Sequence, residues 1–135
     1  MLQNLHQNIG LGAIGTLEKS LSETEFLKMV KDKMQVTAIR HTEFLNKKIQ
    51  KVAVLGGSGS FAIKNAIQAG ADAFVTADLK YHNFYESENQ LLLADIGHFE
   101  SERYTKNYIV DFLQKKILNF AIILSEENTN PVKYL

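Results

Sequence analysis

The sequence predicts an α/β fold with a mixed or mostly parallel sheet of about five strands flanked by helices. Short, continuously apolar segments such as KVAVL (51–55) and LLLA (91–94) are typical of strands that are buried on both faces. Segments with helical periodicity lie between such strands, and this alternation is typical of a parallel sheet covered by helices on both faces. The 135 residues have the length of one domain, so we expect a single α/β domain over 1–135.

The first helix is predicted from a capping box. Ser22 and Glu25 have the spacing of this motif, and apolar residues then recur at helical spacing, which predicts a helix over 23–34. Residues 1–20 are rich in glycine and predict an extended or poorly anchored lead-in, and the polar residues 125–135 predict a tail. The other predicted strands are 36–41, 51–55, 73–77 and 91–96, the other predicted helices are 61–69, 79–88 and 100–116, and regular structure is expected to close with 120–124.

The composition excludes several classes of function. Fifteen basic and fifteen acidic residues cancel, so the chain lacks the positive charge that nucleic acids or anionic membranes attract. No apolar stretch approaches the roughly 20 residues that span a bilayer, so we expect no membrane segment. Because the chain has no cysteine, a disulfide framework is excluded and any metal would need His, Asp or Glu. We expect a cytoplasmic protein.

Two glycine-rich segments are candidates for dinucleotide binding. GLGAIG (10–15) has the G-x-G-x-x-G pattern, but no strand precedes it and no helix follows it, which favours a glycine-rich strand or bend. VLGGSGSFA (54–62) does lie between a predicted strand and a predicted helix, and Asp78 follows about 20 residues on, where a ribose-binding acid is expected. The candidate anion-binding loop consists of Gly57, Ser58, Gly59 and Ser60. A tight turn with Ser58 or Ser60 as helix cap explains the same residues equally well.

The pair His98 and Glu102 is the main candidate for a metal site. It follows the predicted strand 91–96, and open α/β sheets place ligands beyond the carboxyl ends of their strands. If a helix begins near His98, the two side chains lie four residues apart on one helix face. Imidazole and carboxylate suit Zn, Mn or Fe, and a carboxylate can bridge two ions. The spacing alone also fits a solvated contact on a helix surface.

A second polar cluster follows the predicted strand 73–77. Its members Asp78, Lys80 and His82 are placed to line the same edge of the sheet as His98. The alternative is that Asp78 caps the next helix while Lys80 and His82 are surface residues. Both interpretations stay open at this point.

Four ordered motifs together resemble one family. They are contained in GLGAIGTLEKSLSETEFLKMVKDKM (10–34), VAVLGGSGSFAIKNAIQAGADAFVTADLKYHNF (52–84) and LLLADIGHFESE (91–102). These segments resemble the C-terminal half of the NIF-three-like proteins, also called GTP cyclohydrolase I type two homologs, and the resemblance covers about residues 10–135. It implies one lobe of a two-lobed fold built around a dinuclear metal site, often in a toroidal hexamer.

The resemblance also implies roles for individual residues. His98 and Glu102 match metal ligands, with Glu102 as the bridge between two divalent ions (Zn, Mn or Fe). Asp78, Lys80 and His82 match a motif that supports the ligands or contacts substrate, and Gly57 and Gly59 match a turn. The family's paired histidines and aspartate, which complete the metal site, belong to an N-terminal half that this sequence lacks.

The expected function is therefore that of the C-terminal lobe of a dinuclear metal-dependent hydrolase acting on a nucleotide-type substrate. We expect the fragment alone to be inactive and to hold no ordered metal, because two ligands leave most of the coordination to water. Expected partners are the missing N-terminal lobe and further copies of the chain, since an uncovered apolar face favours a homo-oligomer. The alternatives are a non-catalytic metal-binding or protein-interaction scaffold and a nucleotide-binding module that uses the Gly57/Gly59 loop.

Overall fold

The computed structural model describes residues 10–135 and contains a five-stranded mixed sheet with apolar packing on both faces, as predicted. The strands are β1 (Ala13–Ser22), β2 (Arg40–His41), β3 (Lys48–Ser58), β4 (Ala73–Ala77) and β5 (Leu92–Asp95). The helices are α1 (Glu23–Met34), α2 (Ile63–Gln68), α3 (His98–Glu102) and α4 (Thr105–Lys116), with 3₁₀ helices at Ser60–Ala62 and Tyr81–Ser87. The first nine residues of the predicted lead-in lie outside the described residues.

The strands lie across the sheet in the order β1-β3-β4-β5-β2. The three central strands β3, β4 and β5 are parallel, and the two edge strands are antiparallel to their neighbours. Parallel neighbours need a crossover connection, which α2 supplies between β3 and β4 and the 3₁₀ helix Tyr81–Ser87 supplies between β4 and β5. As a result, the carboxyl ends of the central strands meet at one edge of the sheet.

Helix α1 begins where the capping box predicts. The N–H of Glu25 donates to Ser22 Oγ at 3.3 Å, and the N–H of Ser22 donates to Glu25 Oε2 at 2.8 Å, so two backbone donors are satisfied at the first turn. The hydrogen bonds from the hydroxyl and backbone of Ser22 hold the pKa of the Glu25 carboxyl below its ordinary value. The helix then buries Phe26, Leu27 and Val30 on one face of the sheet.

Apolar side chains form a layer on each face of the sheet. The layer beneath α1 includes Ile49, Val75 and Leu92, and the layer beneath α2 includes Phe74 and Leu93. Adjacent residues of a strand point to opposite faces, so a strand that contributes to both layers is apolar at every position. This explains the continuously apolar segments on which the fold prediction depends.

Several predicted boundaries are wrong in detail. The strand predicted over 36–41 is confined to β2, and residues 79–88 form a 3₁₀ helix over Tyr81–Ser87 instead of an α-helix. The helix predicted over 100–116 is divided into α3 and α4, and regular structure ends with α4 instead of 120–124. Residues 13–20 of the predicted lead-in are extended and belong to strand β1, so only the alternative of poor anchoring is wrong there, because β1 pairs with β3.

The chain divides into two compact units within α3. The described residues up to Ser101 form the first unit and Glu102–Leu135 form the second. In the second unit, Lys106 Nζ donates to the carbonyl of Ser125 at 2.6 Å, which ties the irregular C-terminal segment to α4. This division reflects compactness only, so one domain over 1–135 stays a prediction. Between residues 10 and 135, no helix is long and apolar enough to cross a membrane.

Candidate functional site

A residue with left-handed backbone lies close to the carboxyl end of each of the three parallel strands. These residues are Gly57 (φ +68°) in β3, Asp78 (φ +56°) after β4 and Gly97 (φ +89°) after β5. Glycine adopts this conformation without steric cost, and aspartate is among the few other residues that visit it. The resulting turns bring Ser58, Asp78 and His98 together at the carboxyl edge of the sheet.

The carboxylate of Asp78, which directly follows β4, connects the last residue of β3 with the start of α3 after β5. Its Oδ2 accepts a hydrogen bond from Ser58 Oγ at 2.5 Å and lies 2.6 Å from Nδ1 of His98. The side chains of His98 and Asp78 are 51% and 45% exposed, so the cluster is open to solvent. The hydrogen bond from Ser58, followed by that from His98, holds the pKa of the Asp78 carboxyl below its ordinary value, although partial burial acts in the opposite direction.

A second carboxylate, that of the buried Asp95, holds the two loops that carry this cluster. Its Oδ2 accepts from the backbone N–H of Leu79 at 2.9 Å, and its Oδ1 accepts from the backbone N–H of Gly97 at 3.0 Å. These amides belong to the residue after Asp78 and the residue before His98. One buried side chain therefore sets the position of both loops.

Arg40 of β2 completes this support. Its Nη2 forms an ion pair with Asp95 and also donates to the carbonyl of Leu79 at 2.8 Å. Neither Arg40 nor Asp95 is among the sequence-predicted site residues. The one signal for Asp95 in the sequence is a charged residue inside the otherwise apolar segment 91–96, which is predicted as a strand.

The glycines of the loop 57–60 make contacts with other parts of the protein. The N–H of Gly57 donates to Ser101 Oγ at 2.8 Å, and that hydroxyl donates to the carbonyl of His98 at 2.8 Å. The carbonyl of Gly57 accepts from the buried Thr76 Oγ1 at 3.2 Å. A Cβ at Gly59 would lie only 2.0 Å from the same Thr76 oxygen. The left-handed backbone of Gly57 and the close approach of Gly59 to Thr76 therefore explain the two glycines, and anion binding by the loop stays a prediction.

Neither serine of this loop caps the following helix. Ser60 begins the 3₁₀ helix Ser60–Ala62, whose N-cap is Gly59, without a side-chain capping bond. The proposed cap by Ser58 or Ser60 is therefore wrong, and the Ser58 hydroxyl is used by Asp78 instead. In the GLGAIG segment, a Cβ at Gly12 would lie 2.4 Å from the carbonyl oxygen of Val54, so a close approach of two backbones explains that glycine.

The remaining candidates are Lys80, His82 and Glu102. Lys80 is the N-cap residue of the 3₁₀ helix Tyr81–Ser87, so the proposed cap by Asp78 is wrong. The exposed ring of His82 packs edge-on against Tyr81, with ring centroids 5.3 Å apart. Glu102 is the last residue of α3, the helix that begins at His98.

The donor set in the part of the chain that the structure describes is incomplete for a metal ion. Within the described residues, no group of three or more His, Asp and Glu side chains is arranged to hold one. The described residues alone therefore do not fit the dinuclear centre that the resemblance implies, and further ligands would have to come from outside residues 10–135.

An apolar groove of about 560 Å³ lies between β1, β3 and α1 in the first unit. Most of its walls are apolar, and its lining includes Leu17, Met29, Met34, Val52 and Val54. Lys33 and Thr16 also contribute to its lining. Val54 is a β-branched strand residue with 44% of its surface exposed. The groove thus leaves part of one apolar layer open.

Comparison with known proteins identifies the family. The sequence model described as Duf34/NIF3 (NGG1p interacting factor 3) matches residues 2–131. The chain belongs to this family. The resemblance inferred from the motifs is therefore confirmed, and the three segments that contain these motifs lie inside the matched range.

Individual NIF3 relatives agree with this assignment. A protein of Staphylococcus epidermidis named GTP cyclohydrolase 1 type 2 homolog is 37% identical over 136 residues, which cover 97% of this chain and 37% of that protein. A crystal structure of a Bacillus cereus protein related to NIF3 is 32% identical with a TM-score of 0.79, and covers 93% of this chain and 36% of its own. The Staphylococcus aureus protein SA1388 is 28% identical with a TM-score of 0.81, and covers 93% of this chain and 42% of its own.

The fraction of each relative's length that this chain covers limits what can be said of its function. The chain spans little more than a third of the length of the curated NIF3 relatives it matches, 37% in one case and 35% in another. What those longer proteins do as a whole is therefore only a proposal for this chain.

Proposed function

We propose that this chain is the C-terminal lobe of a dinuclear metal-dependent hydrolase that acts on a nucleotide-type substrate, with His98 and Glu102 as metal ligands. The observation that carries the proposal is the position of His98 beside the Asp78 carboxylate, at the carboxyl edge of the parallel strands. Open α/β sheets bind ligands at this edge, and histidines that bind metals commonly contact a carboxylate with their other ring nitrogen. The names of the relatives support a nucleotide-type substrate.

The proposal requires ligands from outside this chain. We assign them to an N-terminal lobe of a longer, cytoplasmic parent, so the fragment alone is inactive. Two divalent ions, Zn, Mn or Fe, would supply a metal-bound water of lowered pKa when both lobes are present. The chain's own part is to supply His98 and Glu102 as ligands and to hold the ring of His98 through Asp78.

Metal binding is tested on the full-length protein. Zinc or manganese is expected to raise its melting temperature, and the double variant His98→Ala, Glu102→Ala is expected to abolish that rise. The matched control is His41→Ala with Glu18→Ala, which removes an exposed histidine and an exposed glutamate elsewhere in the chain. If neither metal shifts the melting temperature of the unmodified protein, the proposal fails.

Catalysis needs a separate measurement. Release of product from nucleotide substrates by the metal-loaded protein, lost in the same double variant, would support a hydrolase. Metal binding without turnover of any nucleotide would instead support a metal-binding scaffold.

The apolar groove favours a second proposal, in which the chain is an interaction scaffold that forms a homo-oligomer through this surface. An open apolar groove between a strand and a helix is typical of a protein contact. Light scattering of the chain is expected to show an oligomer that Val54→Glu dissociates, because the substitution places a charge on the groove. Phe61→Glu is the control, since this exposed aromatic residue is not part of the groove lining.

A further inference from the structure

We propose that Ser58 and Asp78 act as a pair that holds the neutral ring of His98 as the Nδ1–H tautomer, so that Nε2 carries the lone pair. The inference deepens the proposed metal function. Only one part of the inference rests on that function, namely that Nε2 is the atom that would bind a metal. The roles are those of positioning residues, because both side chains act through the histidine.

The tautomer follows from which groups can donate. An ionised carboxylate only accepts hydrogen bonds, whereas a hydroxyl can donate or accept. Asp78 Oδ2 lies 2.5 Å from Ser58 Oγ and 2.6 Å from His98 Nδ1, so both partners must donate to it. In a neutral imidazole, a proton on Nδ1 leaves the lone pair on Nε2.

The carboxylate is held independently of the histidine. Asp78 has left-handed backbone (φ +56°), a conformation that a non-glycine residue keeps only where its surroundings enforce it. The next residue, Leu79, donates its N–H to the buried Asp95 carboxylate at 2.9 Å and its carbonyl accepts from Arg40 at 2.8 Å. The backbone that carries the Asp78 carboxylate is therefore fixed by hydrogen bonds that do not involve His98.

Ser58 adds a second constraint from a different strand. It is the last residue of β3 and lies opposite Ala77 in the parallel register, directly beside the Asp78 turn. Its hydroxyl occupies one acceptor direction of Oδ2, which limits rotation of the carboxylate about its last bond. The histidine thus meets a carboxylate that is fixed by its backbone and by a neighbouring strand.

The chain contains its own reference for this tautomer. Nδ1 of His41 lies 2.7 Å from the backbone carbonyl of Thr42. A carbonyl only accepts, so this nitrogen must also carry a proton when the ring is neutral. His41 therefore reports the Nδ1–H tautomer in the same sample, but its partner is unrelated to Asp78.

The test is two-bond ¹H–¹⁵N correlation NMR of the chain with ¹⁵N-labelled histidine, without metal and above the ordinary histidine pKa of about 6.5. His98 is assigned from the signal lost in His98→Gln. It is expected to show a protonated Nδ1 and an unprotonated Nε2, as His41 does. Predominant Nε2–H tautomer at His98 in the unmodified chain would overturn the proposal.

Substitutions separate the two positioning residues. Asp78→Asn is expected to move His98 to the Nε2–H tautomer, because the side-chain amide can donate to Nδ1, and Asp78→Ala is expected to give a mixture. Ser58→Ala is expected to raise the Nε2–H fraction by a smaller amount, and Ser58→Thr, which keeps the hydroxyl, is expected to match the unmodified chain. His41 is the internal control throughout. If the tautomer of His98 is unchanged in both Asp78 variants, the proposal is overturned. If it is unchanged in Ser58→Ala, the proposed role of Ser58 is overturned.

Zinc titration of the full-length protein distinguishes this inference from the function on which it rests. Loss of a residue that orients a metal-binding histidine typically weakens metal binding about 10–100-fold, and we expect this of Asp78→Asn. If the tautomer of His98 changes as expected in the Asp78 variants but the unmodified protein binds no metal, the proposed function fails. The assignment of the Nδ1–H tautomer to His98 then still holds. If Asp78→Asn binds zinc as tightly as the unmodified protein, Asp78 does not position a metal ligand.

Discussion

Asp95 and Leu79 are joined by a buried hydrogen bond of 2.9 Å, which links the end of β5 to the loop after β4. The same carboxylate accepts from the N–H of Gly97 and pairs with Arg40. The loops that carry Asp78 and His98 therefore depend on a residue that lies beneath the candidate site.

Replacing Asp95 by asparagine is expected to lower the free energy of unfolding by about 1–3 kcal/mol. The asparagine side chain has an NH₂ group in place of one carboxylate oxygen. This NH₂ group donates hydrogen bonds, as do the backbone N–H groups and Arg40 around it, so buried hydrogen-bonding groups would be left unsatisfied. Urea denaturation measures the change. Asp32→Asn on the exposed face of α1 is the matched control, with an expected change within about 0.5 kcal/mol. Equal effects at the two positions would show that the buried network does not stabilise the fold.

Gly59→Ala is expected to destabilise the protein by about 1–3 kcal/mol, because the added methyl group would overlap the buried hydroxyl of Thr76. Calorimetry or urea denaturation measures the loss. Combining the substitution with Thr76→Ala, which removes the oxygen, is expected to recover part of it.

Gly15→Ala is the control for the glycine experiment. A Cβ at this position meets nothing within 4 Å, and its backbone does not require glycine. The substitution is expected to be neutral or to stabilise the strand by up to about 1 kcal/mol. A larger loss at Gly15 than at Gly59 would contradict the packing explanation.

The capping box at α1 predicts a pH dependence of stability. The pKa of Glu25 is lowered in the folded protein, so its ionised form contributes stability that is present above the unfolded pKa and is lost as the pH falls through the folded pKa. Glu25→Gln keeps the shape of the side chain without its charge. We expect the unmodified chain to be more stable than this variant at pH about 7. We expect a smaller difference at pH about 3, because the pH has then fallen below the ordinary glutamate pKa of about 4.3 and towards the lowered pKa of the folded state. Urea denaturation at both pH values is the measurement, and a difference that is equal at both would contradict the prediction.

The elements that the sequence predicts best are those with strong local signals. The predicted bounds of β4 and α1 agree with the structure, because β4 is buried on both faces and α1 begins at a capping box. The candidate cluster of Asp78 and His98 follows from the rule that parallel strands place their carboxyl ends at one edge. In these cases, local pattern and tertiary position favour the same result.

The remainder depends on contacts that a single sequence does not display. Strand β1 is exposed along most of its length and is stabilised by pairing with β3, so it lacks a buried stripe. Gly59 is required by its distance to Thr76, and Asp95 acts through amides of two loops that lie elsewhere in the chain. The hydroxyl of Ser58 looks like a helix cap in the sequence, and only the fold places it against Asp78.

The position of β1 at the edge of the sheet has a consequence for solubility. An edge strand of ten residues presents a row of backbone groups to which a strand of another molecule can add, and this leads to aggregation. The adjacent charges of Glu18 and Lys19 lie near the middle of the strand and oppose such addition, because an incoming strand would have to desolvate them. We expect the double substitution Glu18→Val, Lys19→Val to increase thioflavin fluorescence and turbidity on mild heating. An unchanged aggregation rate would show that the two charges do not protect this edge.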